Sequence, residues 1–248
     1  LAKAGQFDKA LNVAGSISDD YDSDDSAKAE ALSNIASELA KAGQFDKALN
    51  VAGSISFDSD KAEALSKIAS ELAKAGQTQK ALQIFDKAFD VAGSISDDSK
   101  KAWALSNIAS ELAKAGRFDD ALNVARSIYD DRFKTSALRD IASELAKVGQ
   151  FSKALTVAGS ISDDFYKAWA LSDIASELAK AGQTQKALQI FDKAFNAAGS
   201  ISDDALNVAG FIFNSYCKTW ALSDIAVELA EAGQFDKALT VAGSISDD

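Results

Sequence analysis

The sequence predicts an all-α fold, a solenoid of antiparallel helix pairs stacked along one chain. Three features point there. The stretch Ala104 to Gly116 recurs in close copies down the chain, each followed by a shorter apolar segment such as Phe118 to Ile128. The glycines that close the longer segment stand at 5, 43, 76, 116, 149, 182 and 233, with spacings of 38, 33, 40, 33, 33 and 51. A base period near 33 residues marks a stacked-helix repeat. Both segments also carry apolar residues at helical spacing, Leu105, Ile108, Ala109 and Leu112 in the first and Phe118, Ala121, Leu122 and Ala125 in the second. Each set forms one stripe of a helix with 3.6 residues per turn.

The chain opens in mid-repeat at Leu1, with the tail of a first helix and a second helix over about Phe7 to Ile17. This is a half repeat, 1–20. Six helix pairs follow, at about 27–57, 61–97, 100–130, 133–163, 166–202 and 216–246. Their first helices are expected over Ala27–Lys41, Lys61–Lys74, Lys100–Lys114, Phe133–Lys147, Tyr166–Lys180 and Tyr216–Glu231. Acidic and hydroxyl residues ahead of them, as at Asp97, Asp98 and Ser99, cap free amides and suit the positive end of the helix dipole. Gly116 can take the left-handed conformation that ends a helix. The short connection then sets the next helix antiparallel. No pair buries its stripes alone, so neighbours stack into one continuous core across 1–248.

Several departures from the period carry information. Seven residues, Ile84 to Asp90, lengthen one second helix, and the same long helix recurs from Thr184. At 1.5 Å per residue it spans roughly 27 Å. Ile84, Phe85 and Phe89, with Ile190, Phe191 and Phe195, form either a docking ledge or internal packing, and the helical spacing favours packing. Residues 203–213 are an insert resembling a partial repeat copy, read as an extra short helix that is either a partner contact or a tolerated duplication. Asp20, Asp22 and Asp24 alternate as in a calcium loop, but Asp25 and Ala31 stand where the turn glycine and the bidentate glutamate belong. The favoured reading is a solvated capping loop. Seven further glycines, at 15, 53, 93, 159, 199, 210 and 243, fall late in second helices. They imply either close helix approach or a helix end.

Ile108, Ala109 and Leu112, then Gly116, Phe118 and Ala121, resemble the tetratricopeptide repeat, with Phe85 and Ala88 supplying its later aromatic and small positions. The resemblance implies a right-handed superhelix whose first helices line a concave groove. It also implies a non-catalytic scaffold that holds a peptide or protein segment there. Leu105 where the family often has tryptophan, and the absence of proline throughout, depart from the pattern. The run Lys114 to Leu122 also resembles pentatricopeptide repeats. Their RNA binding is disfavoured by a net charge of -11, since phosphate contact needs a basic footprint.

Comparing repeats with one another locates the expected site. Thirteen residues before each turn glycine stand Glu30, Glu63, Trp103, Ser136, Trp169 and Trp220, and nine before stand Asn34, Lys67, Asn107, Asp140, Asp173 and Asp224. The two positions lie four apart and share a helix face. They vary while the serines between them hardly change. The expected partner-binding residues are Trp103, Asn107, Ser136, Asp140, Trp169, Asp173, Trp220 and Asp224. Tryptophan anchors and an acidic C-terminal half suit a protein or peptide partner, basic in character. The plainer reading lays each tryptophan against the preceding unit's second helix and leaves the carboxylates as solvated surface. Glu111 and Lys114, three apart, read as an intrahelical ion pair.

Enzymatic chemistry has little support. There is no histidine to activate a serine, no phosphate-binding glycine loop and no metal-ligand cluster. Neither a catalytic residue nor a cofactor is expected. Cys217, the single cysteine, precludes an internal disulfide and reads as a small packing residue. A cytoplasmic setting is favoured, and no apolar run reaches the length of a membrane span. The alternative function is structural, since repeats cut through at both chain ends invite end-to-end stacking into oligomers or filaments.

Overall fold

The computed structural model describes residues 1–17, 24–201 and 214–245. The insert at 203–213 and the loop holding Asp20 and Asp22 lie outside them, as do the side chains of Asp24, Asp25 and Cys217. Among the described residues the regular structure is one 3₁₀ turn, Ala2–Ala4, and thirteen α-helices, and there is no strand. No helix there is long and apolar enough to cross a membrane.

The helices are α1 (Phe7–Gly15), α2 (Asp24–Lys41), α3 (Phe45–Gly53), α4 (Asp58–Lys74), α5 (Thr78–Ser94), α6 (Asp98–Lys114) and α7 (Phe118–Ser127), then α8 (Asp131–Lys147), α9 (Phe151–Gly159), α10 (Asp164–Lys180), α11 (Thr184–Gly199), α12 (Asn214–Glu231) and α13 (Phe235–Gly243). Each first helix begins two or three residues before the expected start, on an aspartate or asparagine. Aspartate in the opening turn is favoured by the amides exposed there. Asp97 accepts from the Lys100 amide at 2.8 Å and Asp163 from the Tyr166 amide at 3.0 Å. Asp130 does the same for α8, accepting from the amides of Arg132 at 3.0 Å and Phe133 at 3.3 Å. The Arg132 side chain, bonded to Asp130, then holds that carboxyl below its usual range.

The turn glycines do what the spacing requires. Gly116 has φ +76°, and the other six fall between +72° and +77°. Around Gly116 its amide reaches the Ala113 carbonyl at 2.9 Å and the next amide, of Arg117, reaches the Leu112 carbonyl at 2.8 Å. That bond pair satisfies two orphan carbonyls of the first helix and reverses the chain. Five of the later glycines are explained by the second of their two readings, whereas Gly93 lies one residue inside the end of α5 and Gly210 is outside the described residues. Gly15, Gly53, Gly159, Gly199 and Gly243 are the last residues of their helices. A Cβ at any of them meets nothing within 4 Å, so no close helix approach requires them.

The chain forms two compact units, Leu1–Lys134 and Thr135–Asp248. In the first, α2, α4 and α6 stack in register, each with its second helix alongside. Leu39, Ile68, Leu72 and Ile108 form its core, all nearly free of solvent contact. In the second unit Ile141, Leu145, Ile174, Leu178 and Phe191 do the same. An isoleucine just after a second helix, Ile55, Ile128 or Ile161, is also fully buried. The long helices mostly pack rather than forming a ledge: Ile84, Phe85, Ile190 and Phe191 are buried, Phe195 is half-buried, and Phe89 is 44% exposed.

Candidate functional site

In the first unit the free face of the first helices bounds a cleft of about 610 Å³, lined among others by Asn34, Lys41, Lys67, Lys74, Glu111 and Lys114. Its charges are paired within each helix. Glu38–Lys41 is 2.8 Å, and Glu63–Lys67, Glu71–Lys74 and Glu111–Lys114 are each 2.7 Å. The expected Glu111–Lys114 pair is thus one member of a ladder. Such exposed pairs neutralise the surface and contribute little stability. Trp103 and Asn107 on α6 are half-buried, and the Asn107 Nδ2 is buried without a partner.

The second unit is different because of one residue. Ten before the turn glycine stands a serine in five repeats (Ser33, Ser66, Ser106, Ser172, Ser223), but Arg139 in α8. The expectation that these positions hardly change fails here. The Arg139 guanidinium lies 3.8 Å from the centre of the Trp169 ring on α10. It donates to Asp140 at 3.0 Å and to Asp173 at 3.1 Å. Ser143 donates a further bond to Asp173. A planar cation on an indole face, forked to carboxylates, combines cation–π attraction with charge-assisted hydrogen bonding. Trp169 therefore meets the preceding first helix through Arg139.

One step along the stack, α12 carries Trp220 and Asp224 with no such cation. Trp220 is 68% exposed. The Oδ2 of Asp224 is buried without a hydrogen bond, as is the Oε2 of Glu228 one turn further on. Glu228 lacks its helical partner because Glu231 stands where the other repeats have lysine. Burial raises the Asp224 pKa to about 6, reinforced by the charges of Asp173 and Glu228 and opposed by Arg139. The Lys180 pKa is also raised above the usual lysine value, by its bond to Glu177 and by attraction from Glu177, Glu228 and Glu231. A cavity of about 300 Å³ opens here, lined by Phe165, Trp169, Trp220, Ala221, Ser223, Asp224 and Val227. Phe165 meets Trp169 edge-on at 5.8 Å. Among the described residues no three acidic or thiol groups converge as metal ligands.

Of the residues expected from the sequence, Asp140, Trp169 and Asp173 meet around Arg139, and Trp220 and Asp224 bound the adjoining cavity. Ser136 is half-buried on α8 and joins neither group, and Trp103 and Asn107 belong to the first unit. Arg139 is the residue that repeat comparison missed. Its signal was a single basic residue in an otherwise all-serine column.

Residues 60–132 match the family model described as tetratricopeptide repeat, less than a third of the chain. No curated protein matches. Among solved structures the chain is similar to Ton1535 from Thermococcus onnurineus NA1, at 17% identity and a TM-score of 0.39, covering 100% of this chain and 96% of that one. It is similar to BtubC (BKLC) from P. vanneervenii at 14% identity and a TM-score of 0.38, covering 90% of each chain. A Rap protein solved with Competence and Sporulation Factor gives 14% identity and a TM-score of 0.38, covering 98% of this chain and 78% of that one. Scores this low give the three structural likenesses no weight in assigning a function.

Proposed function

From the premise that this chain is a tetratricopeptide-repeat-like helical repeat protein, we propose that it is a non-catalytic interaction scaffold. Its second unit holds a basic segment of a peptide or protein partner on the free face of α8, α10 and α12. One observation carries this reading. Beside an exposed tryptophan and a cavity sized for a side chain, the carboxylates of Asp224 and Glu228 each have a buried oxygen that accepts no hydrogen bond. Uncompensated buried acceptors are costly, and a partner's cation relieves that cost on binding. Asp140, Trp169, Asp173, Trp220 and Asp224 form the contact set in this unit, with Ser136 beside them. Trp103 and Asn107 are the corresponding candidates in the first unit, whose paired lining offers a weaker attraction for charge.

The test is direct binding of labelled short peptides of basic, neutral and acidic composition at physiological salt, read by fluorescence anisotropy. Basic peptides are expected to bind, to weaken with added salt, and to be lost with Trp220→Ala and Asp224→Asn in variants of unchanged helicity. Equal binding of acidic peptides, or full binding by both variants, would remove this face as the partner site.

A further inference from the structure

The two steps of the second unit's first-helix stack are built on one plan and differ in one residue. In the step from α8 to α10, the residue ten before the turn glycine is Arg139, and its guanidinium covers Trp169 and pairs with Asp173, four residues on. In the step from α10 to α12 the corresponding tryptophan and aspartate, Trp220 and Asp224, are both present. The cation is replaced by Ser172, which is fully buried with an unpartnered Oγ. Three features accompany that replacement: an exposed indole, an unpaired carboxylate oxygen and a cavity of about 300 Å³ between the two tryptophans.

We propose that the cavity between Trp169 and Trp220 is a receptor for a guanidinium group, the side chain of an arginine on the partner segment, which takes at Trp220 and Asp224 the place that Arg139 holds at Trp169 and Asp173. This rests on the reading of α8, α10 and α12 as a face for a basic segment, and it names the residue recognised. The volume lies at the small end of ligand pockets, about 300–1,000 Å³, and suits one side chain. Arginine is selected over lysine because a planar, weakly hydrated guanidinium stacks on an indole while forking to a carboxylate. A compact ammonium keeps its water and cannot stack. Arg139 is the precedent within the same protein. The second carboxylate, Glu228, adds attraction for a cation without a counterion from its own helix.

The site is also sensitive to pH. Asp224 is faced by Asp173 on α10, by Arg139 on α8 and by Glu228 on its own helix, and burial with the two carboxylates raises its pKa to about 6. A guanidinium binds the ionised form, so binding at pH 5 is expected to be about tenfold weaker than at pH 7.5.

The experiment titrates the 248-residue chain with N-acetyl-L-arginine methylamide, and with the matching lysine and citrulline compounds, following indole and carboxyl NMR signals. The arginine probe is expected to shift the Trp220 indole and to lower the Asp224 pKa. Lysine should bind several-fold more weakly, and neutral citrulline should leave both signals in place. Trp220→Ala or Asp224→Asn should abolish the response. In a second arm, Ser172→Arg supplies the guanidinium from within. It is expected to lower the Asp224 pKa without probe and to block the probe. If that variant fails to fold, the probe titration decides alone. Equal binding of lysine and arginine, or an arginine response that survives Asp224→Asn, would overturn the assignment. If the arginine probe leaves Trp220 and Asp224 unmoved while basic peptides still bind and are lost with the Trp220 and Asp224 variants, the scaffold stands and the guanidinium receptor falls. If neither binds, the scaffold reading falls with it.

Discussion

Arg139 decides the character of the second unit's lining. It is the cation beside Asp140 and Asp173, and it draws the Asp224 pKa down against burial and two neighbouring carboxylates. Arg139→Ala is expected to destabilise the protein by about 2 kcal/mol, because half-buried carboxylates lose their partner. It should also raise the Asp224 pKa further, a shift that carboxyl NMR reads directly. Asp224 gives a second prediction with a defined sign. Its folded pKa of about 6 stands above the unfolded value of about 4. Between those limits the folded state binds more protons than the unfolded one, so stability falls as pH rises through that window. Asp224→Asn should therefore raise the melting temperature at pH 7.5, by a gain of about 1 kcal/mol once discounted for solvent screening. At pH 4 it should change little. Equal gains at both pH values would rule out ionisation as the cause. For single residues the sequence revealed types more readily than contacts. The tryptophan and aspartate columns were legible as variation between repeats, and Arg139 was legible only as a departure from serine. That a guanidinium covers Trp169 while Trp220 lies open depends on distances that no column contains.

The helices follow local rules closely enough to predict which glycines matter. Gly116 ends α6 in the left-handed region at φ +76°, where a Cβ is strained. Gly53 ends α3 without positive φ and with open space around its Cβ position. Gly116→Ala should cost about 1–2 kcal/mol. Gly53→Ala should be neutral or stabilise by up to about 1 kcal/mol. Urea midpoints of the two variants separate these outcomes, and comparable destabilisation by both would contradict the assignment. Arg126, in the corresponding position of α7, shows that a side chain is accepted there. First-helix boundaries were legible to within three residues because caps and turns are local. The early starts on aspartate were missed because the apolar stripe begins a turn later than the capping chemistry. The long α5 and α11 were read at nearly their observed lengths, since the added residues continue the helical period.

Across each unit, stability should be distributed by neighbour contact, as expected for an array of stacked pairs. Leu72 on α4 is fully buried, and α4 packs against α2, α3, α5 and α6. Leu72→Ala should cost about 2–5 kcal/mol. Its effect on amide hydrogen exchange should be concentrated in those helices, while α10 and α11 of the second unit keep their protection. A uniform loss through both units would show cooperativity beyond nearest neighbours. Charge is also divided by unit: the first lining is self-paired, whereas the second holds a surplus of carboxylates. The sequence foreshadowed this in the column Asn34, Lys67, Asn107, Asp140, Asp173 and Asp224.

The repeat, the helix pairs, the turn glycines and the core positions are all written in the amino-acid sequence. Each of these follows from periodicity and from backbone preferences that act over a few residues. The acidic column and the three tryptophans are placed on first helices in the same way. How those side chains are used is settled by packing alone. Stacking α8 on α10 brings Arg139 onto Trp169 and Asp173. Setting α12 against α10 buries one oxygen of Asp224 with no hydrogen-bond donor. Desolvation and pairing depend on atoms from different repeats, 30 or more residues apart. One repeat satisfies its carboxylate within the chain, and the next, with the same tryptophan and aspartate, leaves a cavity of about 300 Å³.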